Sequence, residues 1–200
     1  VADSYSNYTN LAATTAAVTN RFVTTTNHKV GAYTVANPSP VWAGGCRVTV
    51  TSTQVGGVDD TLGTVIVVGT DLAGAALTET LTPANGSTVE GTAIFRTVIS
   101  VTGAGWVINT GNDTLVVGCA AGSYVSGSGG ILGAVIVGTT AAATIVISDS
   151  QGTIATLKAS IAEGTYPFSL AYSGYLKVAT TSTNNVTVTH TGTIPRFATA

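Results

Sequence analysis

From position 29 onward the apolar residues recur with a period of two, in short runs rich in Val, Ile and Thr that Gly, Asn, Asp and Pro interrupt. The clearest case is the stretch 64–81, where Thr64-Val65-Ile66-Val67-Val68-Gly69-Thr70 passes through Asp71-Leu72-Ala73-Gly74 into Ala75-Ala76-Leu77-Thr78-Glu79-Thr80-Leu81. A shorter version returns over 144–157, again with an Asp-x-x-Gly turn (Asp149 to Gly152) between two strands. The pattern predicts strands over 29–36, 46–53, 62–70, 76–82, 93–101, 106–108 and 114–119. A second series is predicted over 131–137, 143–148, 153–159, 166–171, 176–180 and 186–190. Many short strands punctuated by turn residues predict an all-β chain made of two small β-sandwich domains, Ig-like or jelly-roll-like.

Residues 1–27 break the pattern. They are polar and rich in Thr and Ala, with Leu11, Val18 and Phe22 spaced i, i+7, i+11 behind a cap at Thr9 or Asn10. A short helix or an extended arm fits this spacing, and three sparse apolar points are too few for a core of their own. They are therefore candidate partner contacts. Asn37-Pro38-Ser39-Pro40 stops the first predicted strand. The Gly/Ser-rich run 122–130 reads as a flexible linker. The expected organisation is an N-terminal arm (1–27), a first sandwich (28–121), the linker and a second sandwich (131–200).

Composition narrows the function. Only 8% of the 200 residues are charged, against about 25% in a typical domain. The surface must then be coated with Thr, Ser, Asn and Gly, which favours a subunit of an assembly over a free enzyme. Seven Lys+Arg against nine Asp+Glu leave a net charge of −2, and the cations are scattered, so no nucleic-acid footprint is expected. No run approaches the roughly 18 apolar residues of a membrane-spanning helix. The start has no basic segment followed by an apolar run, so no leader peptide is expected to remain. Cys46 and Cys119 lack any metal-ligand spacing; they read either as two small buried hydrophobes or as a 46–119 disulfide.

Catalytic signals are sparse. His28 and His190 each stand apart in sequence from a nucleophile and an orienting carboxylate. Asp59-Asp60 lacks the alternating oxygen ligands of a calcium loop and reads as a polar loop tip. Trp42, Trp106, Tyr166 and Phe168 could form a ligand platform, but aromatics among β-branched neighbours usually anchor cores. The Gly127–Gly133 run lacks the Lys-Ser/Thr of a phosphate loop. No catalytic residue, cofactor or metal is expected.

The segments 69–81, 85–92 and 95–101 resemble a pattern in structural proteins of tailed bacteriophages, and 152–157 with 162–168 resembles another phage virion module. The resemblance implies a head decoration or cement protein that binds the outside of the major capsid shell and stabilises it, with the capsid exterior as its place and the host cytoplasm as the site of assembly. Its partners would be the major capsid protein and itself, as a homotrimer in preference to a dimer. The alternatives are a neck, tail or head-fibre component, or a secreted bacterial adhesin or carbohydrate-binding module.

Overall fold

The computed structural model describes residues 7–11, 15–140, 142–182 and 185–192. These form sixteen strands arranged as four antiparallel sheets of four, with no helix among the described residues. The chain divides into two units, and neither is a single stretch of sequence. Unit 1 takes the described parts of Val1–Ala16, Val41–Gly45 and Ala121–Ala200; unit 2 takes Ala17–Pro40 and Cys46–Ala120.

In unit 2, one sheet has the order β2 (Val18–Asn27), β9 (Thr114–Cys119), β4 (Cys46–Thr53), β7 (Thr88–Phe95). The other has β3 (Gly31–Tyr33), β8 (Thr97–Ala104), β5 (Thr64–Thr70), β6 (Ala76–Leu81). In unit 1, the orders are β1 (Asn7–Leu11), β16 (Asn185–His190), β11 (Gly130–Thr139), β14 (Gly164–Tyr172), and β10 (Ser123–Ser126), β15 (Leu176–Thr180), β12 (Ile145–Asp149), β13 (Gly152–Leu157). One apolar cluster draws on both sheets of unit 1, with Leu11, Val135 and Val188 from the first and Ile147, Leu176 and Val178 from the second. The alternation read from the sequence produces this: inward positions along β4, β5, β12 and β15 are mainly Val, Ile, Leu and Cys, with Ser52, Gly69, Asp149 and Thr180 toward the strand ends, and most of their neighbours are less buried.

Both Asp-x-x-Gly turns form as expected. The Asp71 carboxylate accepts the amides of Ala73 and Ala75 at 2.8 and 2.9 Å, with Gly74 at φ +80°. Asp149 does the same for Gln151 and Gly152, at 2.8 and 3.2 Å.

Four expectations fail. The segment 1–27 is not a free arm in the part described. Asn7–Leu11 pairs along β16 and belongs to unit 1, whereas Val18–Asn27 pairs with β9 in unit 2. A Thr-rich strand has few apolar residues because only one face meets the core, so sparse spacing does not mean a core is lacking. The linker 122–130 contains β10, whose four residues are all buried. Small Ser residues flank Tyr124 and Val125 there because the strand is enclosed on both faces. The expected strand 93–101 is two strands broken at Arg96, and 106–108 makes only a bridge, Thr61 to Val107.

Candidate functional site

Strand register assembles a buried polar cluster in unit 2. β2 and β9 pair Thr26 with Leu115 and Asn27 with Thr114. One step beyond the strand ends, the same register sets His28 against Asp113, and the His28 amide donates to the Asp113 carbonyl at 3.1 Å. Asp60 arrives from the β4–β5 loop. Its amide donates to Asp113 Oδ2 at 2.8 Å, and the Asp113 amide donates back to Asp60 Oδ2 at 3.0 Å. The second oxygen of each carboxylate accepts a further amide: Val55 to Asp113 Oδ1 at 2.7 Å and Asn109 to Asp60 Oδ1 at 2.5 Å. The two aspartates thus clasp the β4–β5 loop to the loop before β9.

Backbone bonds complete the clasp, with Thr61 and Val107 exchanging amides and the Gly111 amide donating to the Val58 carbonyl at 2.8 Å. Gly111 is required there, since a Cβ would stand 2.6 Å from the Val58 carbonyl oxygen. Asn112, next to Asp113, sits at φ +56°, a conformation that Asn tolerates better than most residues. The clasped loops hold four aliphatic side chains in water: Val55 (43% exposed), Val58 (62%), Val107 (55%) and Ile108 (48%).

The His28 ring is fully buried under Trp106, with ring centroids 4.2 Å apart and planes 31° from parallel. Nε2 lies 3.3 Å from Ser52 Oγ, and Nδ1 lies 3.7 Å from Asp60 Oδ2. Burial pushes the His28 pKa below its ordinary value, against the opposing pull of the Asp60 and Asp113 charges and a backbone hydrogen bond to Thr114. The amides of Val55 and Asp60 hold the Asp113 carboxyl below the usual carboxylate range, and His28 adds to this.

Ser52, His28 and Asp60 are connected in the order of a nucleophilic triad. Ser52, however, is 2% exposed. An acyl group could not approach its Oγ without opening the sheet, and the 3.7 Å separation is too long for the hydrogen bond that orients such a ring. Elsewhere, a cleft of about 110 Å³ in unit 1, lined by Thr15, Val146, Ala179 and Thr181 among others, is smaller than the roughly 300–1,000 Å³ of small-molecule sites.

The residues expected to touch a partner are not gathered in one place. Leu11 is 0% exposed in the unit 1 cluster, and Phe22 is 0% exposed in unit 2; only Val18, half-buried opposite Cys119, keeps part of its surface in solvent. Asp60, read as part of a polar tip, is buried, because its oxygens serve the loop backbone. Trp42 and Trp106 are buried in different units, while Tyr166 and Phe168 pack against the unit 1 core. Cys46 and Cys119 are both buried, Sγ to Sγ 2.8 Å apart. The His28–Asp60–Asp113 cluster was missed because its members lie 32 to 85 positions apart. The usable signal was the pairing of two aspartates with Gly- and Asn-containing turns. Comparison of the chain with protein-family models, with curated proteins and with solved structures finds no match.

Proposed function

We propose that the chain is a non-enzymatic structural protein of a tailed-phage virion, a decoration or cement protein whose two β-sandwich units bind the outer surface of the major capsid shell and stabilise it. The observation that carries this reading is the outer face of the sheet β1-β16-β11-β14. Register lines up two cross-strand rows on that face, Tyr8–Thr189–Ala134–Pro167 and Asn10–Thr187–Ile136–Thr165. Neither row contains a charged side chain, although Tyr8 is 74% and Ile136 36% exposed.

Interface centres are depleted in charge and tolerate hydroxyls, because a Thr can be desolvated at far lower cost than a Lys or Glu. A broad uncharged sheet face therefore suits docking on another protein. The clasped loop tip with Val55, Val58, Val107 and Ile108 gives unit 2 an exposed apolar contact element. Cementing asks for several modest contacts that add through effective concentration, which the uncharged sheet face of unit 1 and the largely apolar loop tip of unit 2, with Asp59 beside it, can supply. Trimers on three-fold and quasi-three-fold positions of an icosahedral shell are the favoured assembly.

The test is the quantitative protein composition of purified particles. Abundance near that of the major capsid protein supports cement. A few copies per particle would replace it with a neck or tail role, and absence from particles would overturn the virion reading in favour of an adhesin. An Ile136→Lys variant should fold normally, since the position is exposed, yet lose at least tenfold in particle affinity.

A further inference from the structure

The cluster under Trp106 brings two carboxylates and an imidazole together in a space closed to water: His28 and Asp113 are 0% exposed and Asp60 is 3%. One nitrogen in it is orphaned. His28 Nδ1 has no hydrogen-bond partner, and it points toward the aspartates. We propose that His28 Nδ1, with one carboxylate oxygen each from Asp60 and Asp113, binds a divalent transition-metal cation of the zinc class.

Three features carry the assignment. The first is distance. Nδ1 and Asp60 Oδ2 are 3.7 Å apart, beyond the ~3.2 Å reach of an N–H···O bond. Two donors about 2.1 Å from a tetrahedral ion stand ~3.4 Å apart, so the gap is near that of two ligands on one cation. All three donors lie within 4.8 Å of one another, so an ion would draw them together by up to ~1.4 Å. The second is orientation. A ring that donates Nε2–H to Ser52 Oγ turns its Nδ1 lone pair toward the carboxylates, and an outer hydrogen bond of this kind is what fixes ligating histidines. Each carboxylate oxygen accepts one amide and keeps a second lone pair, so the backbone bonds hold the carboxylates in place without using them up.

The third feature is charge. Without a cation, two carboxylates and an imidazole lone pair face one another in the interior, and backbone amides are their main compensation. A dication balances the two aspartates. One nitrogen and two oxygens match zinc and its neighbours; calcium would want six to eight oxygens, and no thiolate is present to favour a softer ion. The cation would tie the end of β2 to the β4–β5 loop and the β8–β9 loop. The inference needs only unit 2 to be folded and stands apart from the virion reading.

The test uses the full-length protein, stripped with a chelator and dialysed. Zinc chloride is titrated by calorimetry, melting is followed with and without zinc, and the imidazole nitrogens are observed by long-range 1H–15N correlation. Expected are saturation at one equivalent, a rise in Tm at zinc concentrations far above Kd, and movement of one imidazole's Nδ1 signal, that of His28. His28→Gln should weaken binding at least tenfold, whereas His190→Gln should leave it unchanged. No saturable uptake by the folded wild-type protein would overturn the proposal, as would zinc shifts confined to His190. If His28→Gln does not fold, the wild-type nitrogen spectrum decides alone.

Discussion

Leu11 and Phe22 separate a docking arm from a strand that belongs to the core. Each is 0% exposed, Leu11 among the side chains of unit 1 and Phe22 in unit 2. Truncating a buried Leu to Ala removes its transfer energy and leaves a cavity, at a cost of about 2–5 kcal/mol; for Phe the cost is about 3–5 kcal/mol. Each unit has about 100 residues, for which 1 kcal/mol moves the Tm by about 4–8 °C. Leu11→Ala should therefore lower the melting of unit 1 by at least about 8 °C, and Phe22→Ala that of unit 2 by at least about 12 °C. Val18→Ala, at a half-buried position, should cost about 1 kcal/mol or less.

Scanning calorimetry reads the melting, and hydrogen exchange assigns it. The amides of β16, which pairs with β1, should lose protection in Leu11→Ala, and those of β9, which pairs with β2, in Phe22→Ala. The reasoning is refuted if Phe22→Ala melts within about 2 °C of the wild type while its uptake onto particles falls. That result would make 18–27 a docking arm after all.

Other outcomes follow from the same structure. Fragments 28–121 and 131–200 should both fail to fold, because the first lacks all of β2 and the second lacks β1 and β10; cooperative unfolding of either alone would refute the division. Burial holds the His190 pKa below its ordinary value, so the unfolded chain binds the extra proton, and this contribution to stability is lost as pH falls below about 6.5. Amides of Ser173 and Gln151 depress the Asp149 pKa, so its contribution, intact above the ordinary carboxylate value, is lost as pH falls through the folded value. The Tm of unit 1 should thus fall on acidification from pH 7; a flat profile between pH 7 and about 4 would refute the His190 reading, and no further fall below about pH 4 would refute the Asp149 reading. Refolding with oxidised glutathione should link Cys46 to Cys119, each thiol losing a proton and the pair's two electrons reducing the glutathione disulfide. The link closes a separation of 73 positions and should add ~4 kcal/mol; two alkylatable thiols after that treatment would contradict it.

How much of this was legible in the sequence depends on the faces of each strand. Cys46–Thr53, Thr114–Cys119 and Leu176–Thr180 have the bounds expected of them, because one-sided alternation marks both their length and their buried face. β10 was hidden because a strand enclosed on both sides by close neighbours carries Ser as readily as a linker does. β1 and β2 were hidden because few of their positions are apolar: the outward ones are Tyr8 and Asn10 in β1 and mainly Thr and Asn in β2. Which strands lie side by side is a non-local choice that no period encodes, and the cluster at His28 depends on it entirely. The β2–β9 register must be known before His28 and Asp113 can be placed together.

The scarcity of charge and the stiffness of the loops have one origin. Of the nine acidic residues, Asp60, Asp71, Glu79, Asp113 and Asp149 each accept at least two backbone amides: Asn109 and Asp113, Ala73 and Ala75, Thr92 and Ala93, Val55 and Asp60, and Gln151 with Gly152 and Ser173. A carboxylate used this way fixes a turn or joins two strands, and much of its charge is answered by N–H dipoles rather than by water. Loops fixed by such bonds can hold aliphatic side chains in solvent without collapsing onto them, as at Val58 and Val107. With half the acids so engaged, little charge is left for the broad sheet faces, and these remain free of like-charge repulsion toward another surface. For Asp113 and Asp149, whose carboxyls the amides hold below the usual carboxylate range, the same arrangement makes acid a weak direction: protonating them weakens the Asp149 turn and loosens the clasp that carries Val55 and Val58.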